Sequence, residues 1–154
     1  MVTFRDTNVD DPAAHALIAD YFDMRDATFP HELGAYTPKF PIVADFLPPK
    51  GVFVVLVDND GEDIGCGGVR GISPTRFEIK HLWVQPRAQG RGLGRLLLGE
   101  LESRAAGFGA TEIVLDTNAS LRAAGGLYRT SGYLNVEPYN DNPNATDWFW
   151  KKIP

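Results

Sequence analysis

The sequence predicts an α/β domain (of the α+β kind) built on a mixed, mostly antiparallel central sheet of six to seven strands with helices on both faces. Three observations carry that expectation. Short apolar runs of strand length and longer runs with helical spacing succeed one another along the chain. The strand runs at 51–57, 64–71 and 77–84 are joined by short links, which makes an antiparallel meander. The last run passes through a glycine-rich loop into an amphipathic helix and then another strand, which makes a βαβ unit. The order β-α-β-β-β-α-β-α-β-β is not that of a doubly wound nucleotide fold, which alternates strands and helices throughout.

Taken in order, Val2 to Arg5 reads as a first strand. Asp11 caps a helix whose first position is Pro12, where the missing N–H is no loss. Leu17, Ile18, Tyr21 and Phe22 repeat at helical spacing to about Arg25. Residues 29–50 hold five prolines but also Phe29, Tyr36, Phe40, Ile42, Val43, Phe46 and Leu47. That apolar content predicts a packed loop with a short helix at 42–46 rather than a disordered linker. Asp58-Asn59-Asp60-Gly61 turns the first hairpin of the meander. After the glycine loop a helix runs to about Phe108, with Leu93, Leu96, Leu97 and Leu101 on one face. A strand at 112–116 follows, then a short helix at 120–130 with Ser120 or Asn118 near its cap and Gly132 as its stop. Two terminal strands, 133–136 and 147–152, flank the turn-forming segment 138–144.

Composition narrows the class. The chain has 154 residues, 44% hydrophobic and 23% charged, which suits one domain over 1–154. A net charge of -5 argues against nucleic acid as a partner. Cys66 is the only cysteine, which excludes an intrachain disulfide; its strand context predicts a buried structural thiol. Neither a signal pattern nor a membrane-length apolar run is present, so a cytoplasmic location is the expectation.

The densest signal is Val84-Gln85-Pro86-Arg87-Ala88-Gln89-Gly90-Arg91-Gly92-Leu93-Gly94-Arg95. Strand, basic glycine-rich turn and helix N-terminus together make an anion cradle, because free backbone N–H groups and the helix dipole favour negative charge there. A phosphate or pyrophosphate is the ligand such a site takes.

With its surroundings this segment resembles the acyl-CoA signature of the GNAT N-acetyltransferase superfamily. Gln89-Gly90-Arg91-Gly92-Leu93-Gly94 is similar to the family's Q/R-x-x-G-x-G/A. Glu78 to Val84 precedes it as the family's fourth strand does. Asp116-Thr117-Asn118 and Ala124 to Tyr133 follow, resembling the N…A…LY…GY segment. The resemblance covers residues 50–152 well and residues 1–50 only in element order. It implies acetyl-CoA as cosubstrate and no metal. It also implies that Leu82, Trp83 and Val84 pair through their backbones with the pantetheine arm. Gln89, Gly90, Arg91, Gly92, Leu93, Gly94 and Arg95 would then hold the pyrophosphate, with Arg87 toward the 3′-phosphate or solvent. Asn118 would contact the pantetheine or order the end of the fifth strand, a helix cap being the alternative.

N-acetyl transfer to an amine needs a base for the ammonium proton, donors for the developing oxyanion and an acid for the leaving thiolate. The resemblance assigns Glu78 as base, a surface glutamate paired with Lys80 being the alternative. It assigns Tyr128 as acid, against a packing tyrosine, and the Val84 N–H as oxyanion donor. Period-2 alternation puts Lys80, Leu82 and Val84 on the face of Glu78 and His81 on the other, as a structural histidine. Asp116 and Thr117 are expected behind the site. Asp26, Glu32 and Asp45 are candidate amine-recognising carboxylates, with ordinary solvated acids as the alternative. The expected activity is acetyl transfer to a primary amine of a small molecule by direct attack in a ternary complex. A protein or peptide N-acetyltransferase and a non-catalytic CoA-binding module are the alternatives. The aromatic C-terminal strand suits a homodimer edge.

Overall fold

The computed structural model describes residues 1–154. Its strands are β1 (Thr3–Asp6), β2 (Gly51–Val57), β3 (Asp63–Gly71), β4 (Arg76–Val84), β5 (Glu112–Thr117), β6 (Leu134–Val136) and β7 (Asp147–Lys152). Its helices are α1 (Pro12–Thr28), α2 (Leu93–Gly107) and α3 (Arg122–Thr130). One seven-stranded sheet runs in the order β1-β2-β3-β4-β5-β7-β6. Every neighbouring pair is antiparallel except β4 and β5. The expected fold class and element order are those observed.

The sheet is covered on both faces, which is why Val52 to Leu56 can be apolar without alternation. On one face Val52, Val54, Val69, Phe77 and Ile79 pack against Leu97, Leu98 and Leu101 of α2. On the other, Phe53, Val55, Cys66 and Trp83 pack against Leu17, Ile18 and Phe22 of α1 and against Phe46. Asp11 caps α1 as read, its carboxylate accepting from Ala13 N at 3.0 Å. The short helix expected near 42–46 is a 3-10 turn, Val43–Phe46, with a second at His31–Leu33.

Two boundaries differ from expectation. The third helix starts at Arg122, not Ser120, and Leu121 at its N-cap offers no side-chain acceptor. Neither Ser120 nor Asn118 caps it, because Asn118 Oδ1 accepts from Ser120 N at 3.0 Å and closes a local turn before the helix begins. No helix is long and apolar enough to cross a membrane.

Candidate active site

The site begins where the sheet comes apart. β4 and β5 pair only through Arg76↔Glu112, Phe77↔Ile113 and Glu78↔Val114. Beyond that point β4 runs on to Val84 and β5 to Thr117 without pairing, so a wedge opens between them. A bulge shapes the wall on the β4 side. The register with β3 steps from Gly68↔Lys80 to Cys66↔Trp83, and His81 sits in the left-handed region at φ 57. One extra residue in a strand reverses the parity of everything after it. The expected alternation therefore holds only as far as Lys80. His81 joins Glu78 on the α1 face, its ring 5.7 Å from Phe22 and 6.2 Å from Phe46. Leu82 and Val84 turn instead to the α2 face. Burial holds the His81 imidazole down to about 3, with Lys80 and Arg70 adding to the effect, so the ring is neutral at pH 7.

The same ladder sorts the backbone. Gln85 N donates to Ile64 O at 2.8 Å, and the pair before it is Gly65↔Val84. In an antiparallel ladder the hydrogen-bonded and open pairs alternate. Val84 is the open member, so its N–H faces away from β3, toward the wedge. Trp83 is the bonded member, opposite Cys66. That corrects the expectation for Trp83: its N–H and C=O are committed to β3, although the residue lines the cavity. Its indole Nε1–H is buried with no acceptor.

Past Val84 the chain makes the anion cradle. The last bonded amide of the turn is that of Gln89, to Pro86 O at 3.3 Å. No loop or side-chain acceptor takes the amides of Gly90, Arg91, Gly92, Leu93, Gly94 or Arg95, and α2 starts at Leu93 with no side-chain cap. Gly90 and Gly92 adopt φ of 81° and 74°, where a side chain is disfavoured. At Gly94 a Cβ would stand 3.4 Å from the Leu127 side chain, an ordinary contact. Gln89 Nε2 donates to Val84 O at 2.8 Å and folds the loop onto the strand. Of the arginines, Arg91 reaches back to Arg87 O at 3.2 Å, while Arg95 is tied to Thr130 Oγ1 at 2.7 Å and to Ser131 Oγ at 3.2 Å. Arg95 thus braces α2 against α3, whereas Arg91 bonds only within its own loop.

A cavity of 1480 Å³ runs from this cradle past the wedge to α1. Tyr128 of α3 lies on its wall, its ring 5.7 Å from Phe149. Burial pushes its phenol well up, so it is protonated at neutral pH, and its hydroxyl makes no hydrogen bond within the chain. Asp116, at the open end of β5, is also on the wall. It accepts from Asn140 Nδ2 at 2.7 Å and Asn142 Nδ2 at 3.2 Å, with Lys80 Nζ at 3.8 Å.

Glu78 lies elsewhere. It is 2% exposed and is not part of the cavity wall. Arg70 Nε and Nη2 hold its Oε1 at 3.0 and 2.9 Å, and the Tyr139 hydroxyl donates to its Oε2 at 2.5 Å. Arg70 Nη1 also reaches Asp45 Oδ2 at 3.1 Å. Enclosed and off the wall, Glu78 is held as a buried anion, and its cation is Arg70 in place of Lys80. Asn118 is likewise internal: buried, off the wall, its Nδ2 donating to Asn144 O at 3.2 Å. It orders the end of β5, which was one of its two expected roles, and makes no wall for a cofactor. Asp45 is bound to Lys50 and Arg70, while Asp26 and Glu32 are exposed and off the wall.

Opposite the cradle the cavity is roofed by two segments distant in sequence. Asn144 joins them: its Oδ1 accepts from Thr37 N at 3.2 Å and its Nδ2 donates to Thr37 O at 3.0 Å. Its carbonyl also accepts from Arg25 Nη2 at 3.0 Å. The segment holds its shape through stacked turns, Asn142 N donating to Asn140 Oδ1 at 3.2 Å and Asn144 N to Asn142 Oδ1 at 3.0 Å. Trp148 Nε1 fixes Asn140 from β7 at 2.8 Å. The sequence reading expects the loop 138–144 over the acceptor site but does not single out Tyr139 or its three asparagines, and it does not place Arg25 in the site. The signal that could have found the asparagines is their i, i+2 spacing.

Comparison with known proteins follows the same lines. The model of the acetyltransferase (GNAT) family matches residues 13–133. An uncharacterized N-acetyltransferase of Schizosaccharomyces pombe is 37% identical over 62% of this chain and 60% of its own length. An IAA acetyltransferase of Azospirillum brasilense is 30% identical over 64% of this chain and 65% of its own. The chain thus spans less than two thirds of the length of these relatives. Among solved structures, a GNAT-family acetyltransferase from Staphylococcus aureus Mu50 superposes with a TM-score of 0.83 at 14% identity, covering 100% of both chains. One from Elizabethkingia anophelis, solved with acetyl-CoA bound, superposes at 0.69 with 18% identity, covering 99% of this chain and 98% of that one. A wedge beside a bulged fourth strand, an anion cradle at the following helix and a family match over residues 13–133 agree: the chain belongs to the acetyltransferase (GNAT) family.

Proposed function

We propose that this chain is an acetyl-CoA-dependent N-acetyltransferase acting on a primary amine of a small molecule, by direct attack in a ternary complex. The Asn144–Thr37 tie carries this reading. It ties two segments across the acceptor end, which favours a pocket for a small molecule, whereas a protein substrate needs an open groove along which an extended chain can lie.

Bound acetyl-CoA supplies an acetyl group activated as a thioester. The residues present fit it: the free amides of Gly90 to Arg95, with Arg91, suit a pyrophosphate. The Val84 N–H and the open edge of β4 suit an amide-bearing arm lying in the wedge. Val84 N–H then stabilises the negative charge that develops on the carbonyl oxygen. Tyr128, protonated and without an internal partner, gives its proton to the leaving sulfur. Asp116, the buried-side carboxylate of the wall, takes the proton of the attacking amine; Asn140 and Asn142 hold it in place. Glu78 balances Arg70 and anchors Tyr139, so it positions the roof.

Calorimetry with acetyl-CoA, followed by thiol-release assays on small amines and on peptides with free amino groups, tests this. Binding at roughly micromolar levels and turnover of small amines at least about tenfold faster than peptides are expected. Absence of binding at about 1 mM, or faster turnover of peptides, overturns it.

A further inference from the structure

Arg25 is the feature of the acceptor pocket that acetyl transfer leaves unexplained. It projects from α1, lines the cavity and is only 7% exposed. It forms no ion pair with any carboxylate: its hydrogen-bond partners are the Tyr21 hydroxyl at 3.2 Å and Asn144 O at 3.0 Å, both neutral. Its guanidinium carbon lies 5.1 Å from the Tyr36 ring centre and 6.0 Å from that of Tyr21. A buried guanidinium without an anion is costly, and aromatic faces offset only part of that cost. Two of its N–H groups are committed to these partners, which leaves others of its fork for a ligand. Lys39, also on the wall, has no carboxylate partner either, whereas Arg70 and Lys80 are matched by Glu78 and Asp116. Against these two unmatched cations the wall carries one carboxylate without a cation, Asp141, so the acceptor end keeps a surplus of positive charge, which disfavours polyamines and other polycations.

We propose that the acceptor is an amine that also bears a carboxylate, and that Arg25 receives the carboxylate while Asp116 faces the amine. This rests on the acetyltransferase reading above. Charge-assisted, two-point binding by a planar guanidinium fixes a carboxylate in orientation as well as position, so the amine is presented in one pose. Arg25, Asp116 and Tyr128 all line the same cavity.

The test uses the full chain saturated with CoA. The common α-amino acids and 4-aminobutanoate are each titrated beside their carboxamides, by calorimetry and, with acetyl-CoA, by thiol release. At least one acid is expected to bind and react at least about tenfold better than its amide, which is about 1.4 kcal/mol. In Arg25→Met the ratio of acid to amide falls to about one through KM, with acetyl-CoA affinity unchanged. Arg25→Lys, which keeps the charge and loses the fork, gives an intermediate ratio and serves if the methionine variant does not fold. Acids no better than amides, or an unchanged ratio in Arg25→Lys, overturns the assignment of Arg25. Loss of acetyl-CoA binding in the wild-type chain would instead overturn the acetyltransferase reading on which it rests.

Discussion

The two ends of the cavity are built by different means. The cradle end is made of backbone: free amides from Gly90 to Arg95, two left-handed glycines and the open edge of β4, all within one stretch of chain. The acceptor end is made of side chains from three distant segments, with Arg25, Thr37 and Asn144 holding them together. Backbone recognition tolerates sequence change so long as the turn geometry survives. A side-chain lattice ties the pocket's shape to single residues and makes it the end where specificity resides.

Breaking the chemistry between the two ends should have the largest effect. Tyr128→Phe is expected to lower kcat by about 10²-fold, the scale of a positioned acid, with little change in Tm, because the hydroxyl makes no bond within the fold. Asp116→Asn should cost kcat on a similar scale of about 10²-fold. Glu78→Gln should act mainly on Tm, because it leaves Arg70 without its closest anion. A larger kcat loss in Glu78→Gln than in Asp116→Asn would return the base role to Glu78.

Next in size is the cradle. Gly92→Val forces a β-branched residue to a φ of 74°, at a cost of roughly 1–3 kcal/mol, and crowds the nearby amides. Acetyl-CoA affinity should weaken at least about tenfold while the amine KM holds. Unchanged affinity would show that the amides of this loop do not bind the donor.

Asn144→Ala should do the reverse and move less. It removes the side-chain tie to Thr37, so a loss of about 1–2 kcal/mol, or a few degrees in Tm, is expected. The amine KM should rise several-fold with acetyl-CoA affinity intact. Equal weakening of both ligands would mean that the two ends are one cooperative unit.

The same difference explains what could be read from the sequence. The cradle was legible because turn chemistry and helix starts are local: glycines at fixed offsets and a leucine stripe over 93–101 needed no tertiary information. The place of Tyr128 on the cavity wall was legible because its neighbours to Gly132 are contiguous. Parity along β4 was not, because the bulge at His81 depends on pairing with β3, where Gly67 and Gly68 accept an extra residue opposite. The partners of Glu78 were not legible, because Arg70 lies on another strand and Tyr139 61 residues away. Arg25 looked like the end of an ordinary helix; only the roof shows it to be buried.

The smallest effect expected concerns the seam itself. His81 faces α1 through the bulge, and its folded pKa of about 3 lies below the ordinary 6.5. Between those values the unfolded chain binds a proton that the native state refuses, so stability falls as pH drops from about 6.5 toward 3. Above 6.5 the two states bind equally and the effect vanishes. His81→Asn keeps a residue that tolerates the left-handed region and removes the titration. Its Tm at pH 7 should be modestly lower than that of the wild type, but its decline from pH 6.5 to 4 should be shallower. Parallel declines in the two proteins would mean that acid acts on the carboxylates alone, and that the imidazole is not enclosed by Tyr21, Phe22 and Phe46 in solution. A shallower decline locates the joint between the backbone-built and side-chain-built halves at this residue, where one left-handed position decides which face of the sheet each later side chain serves.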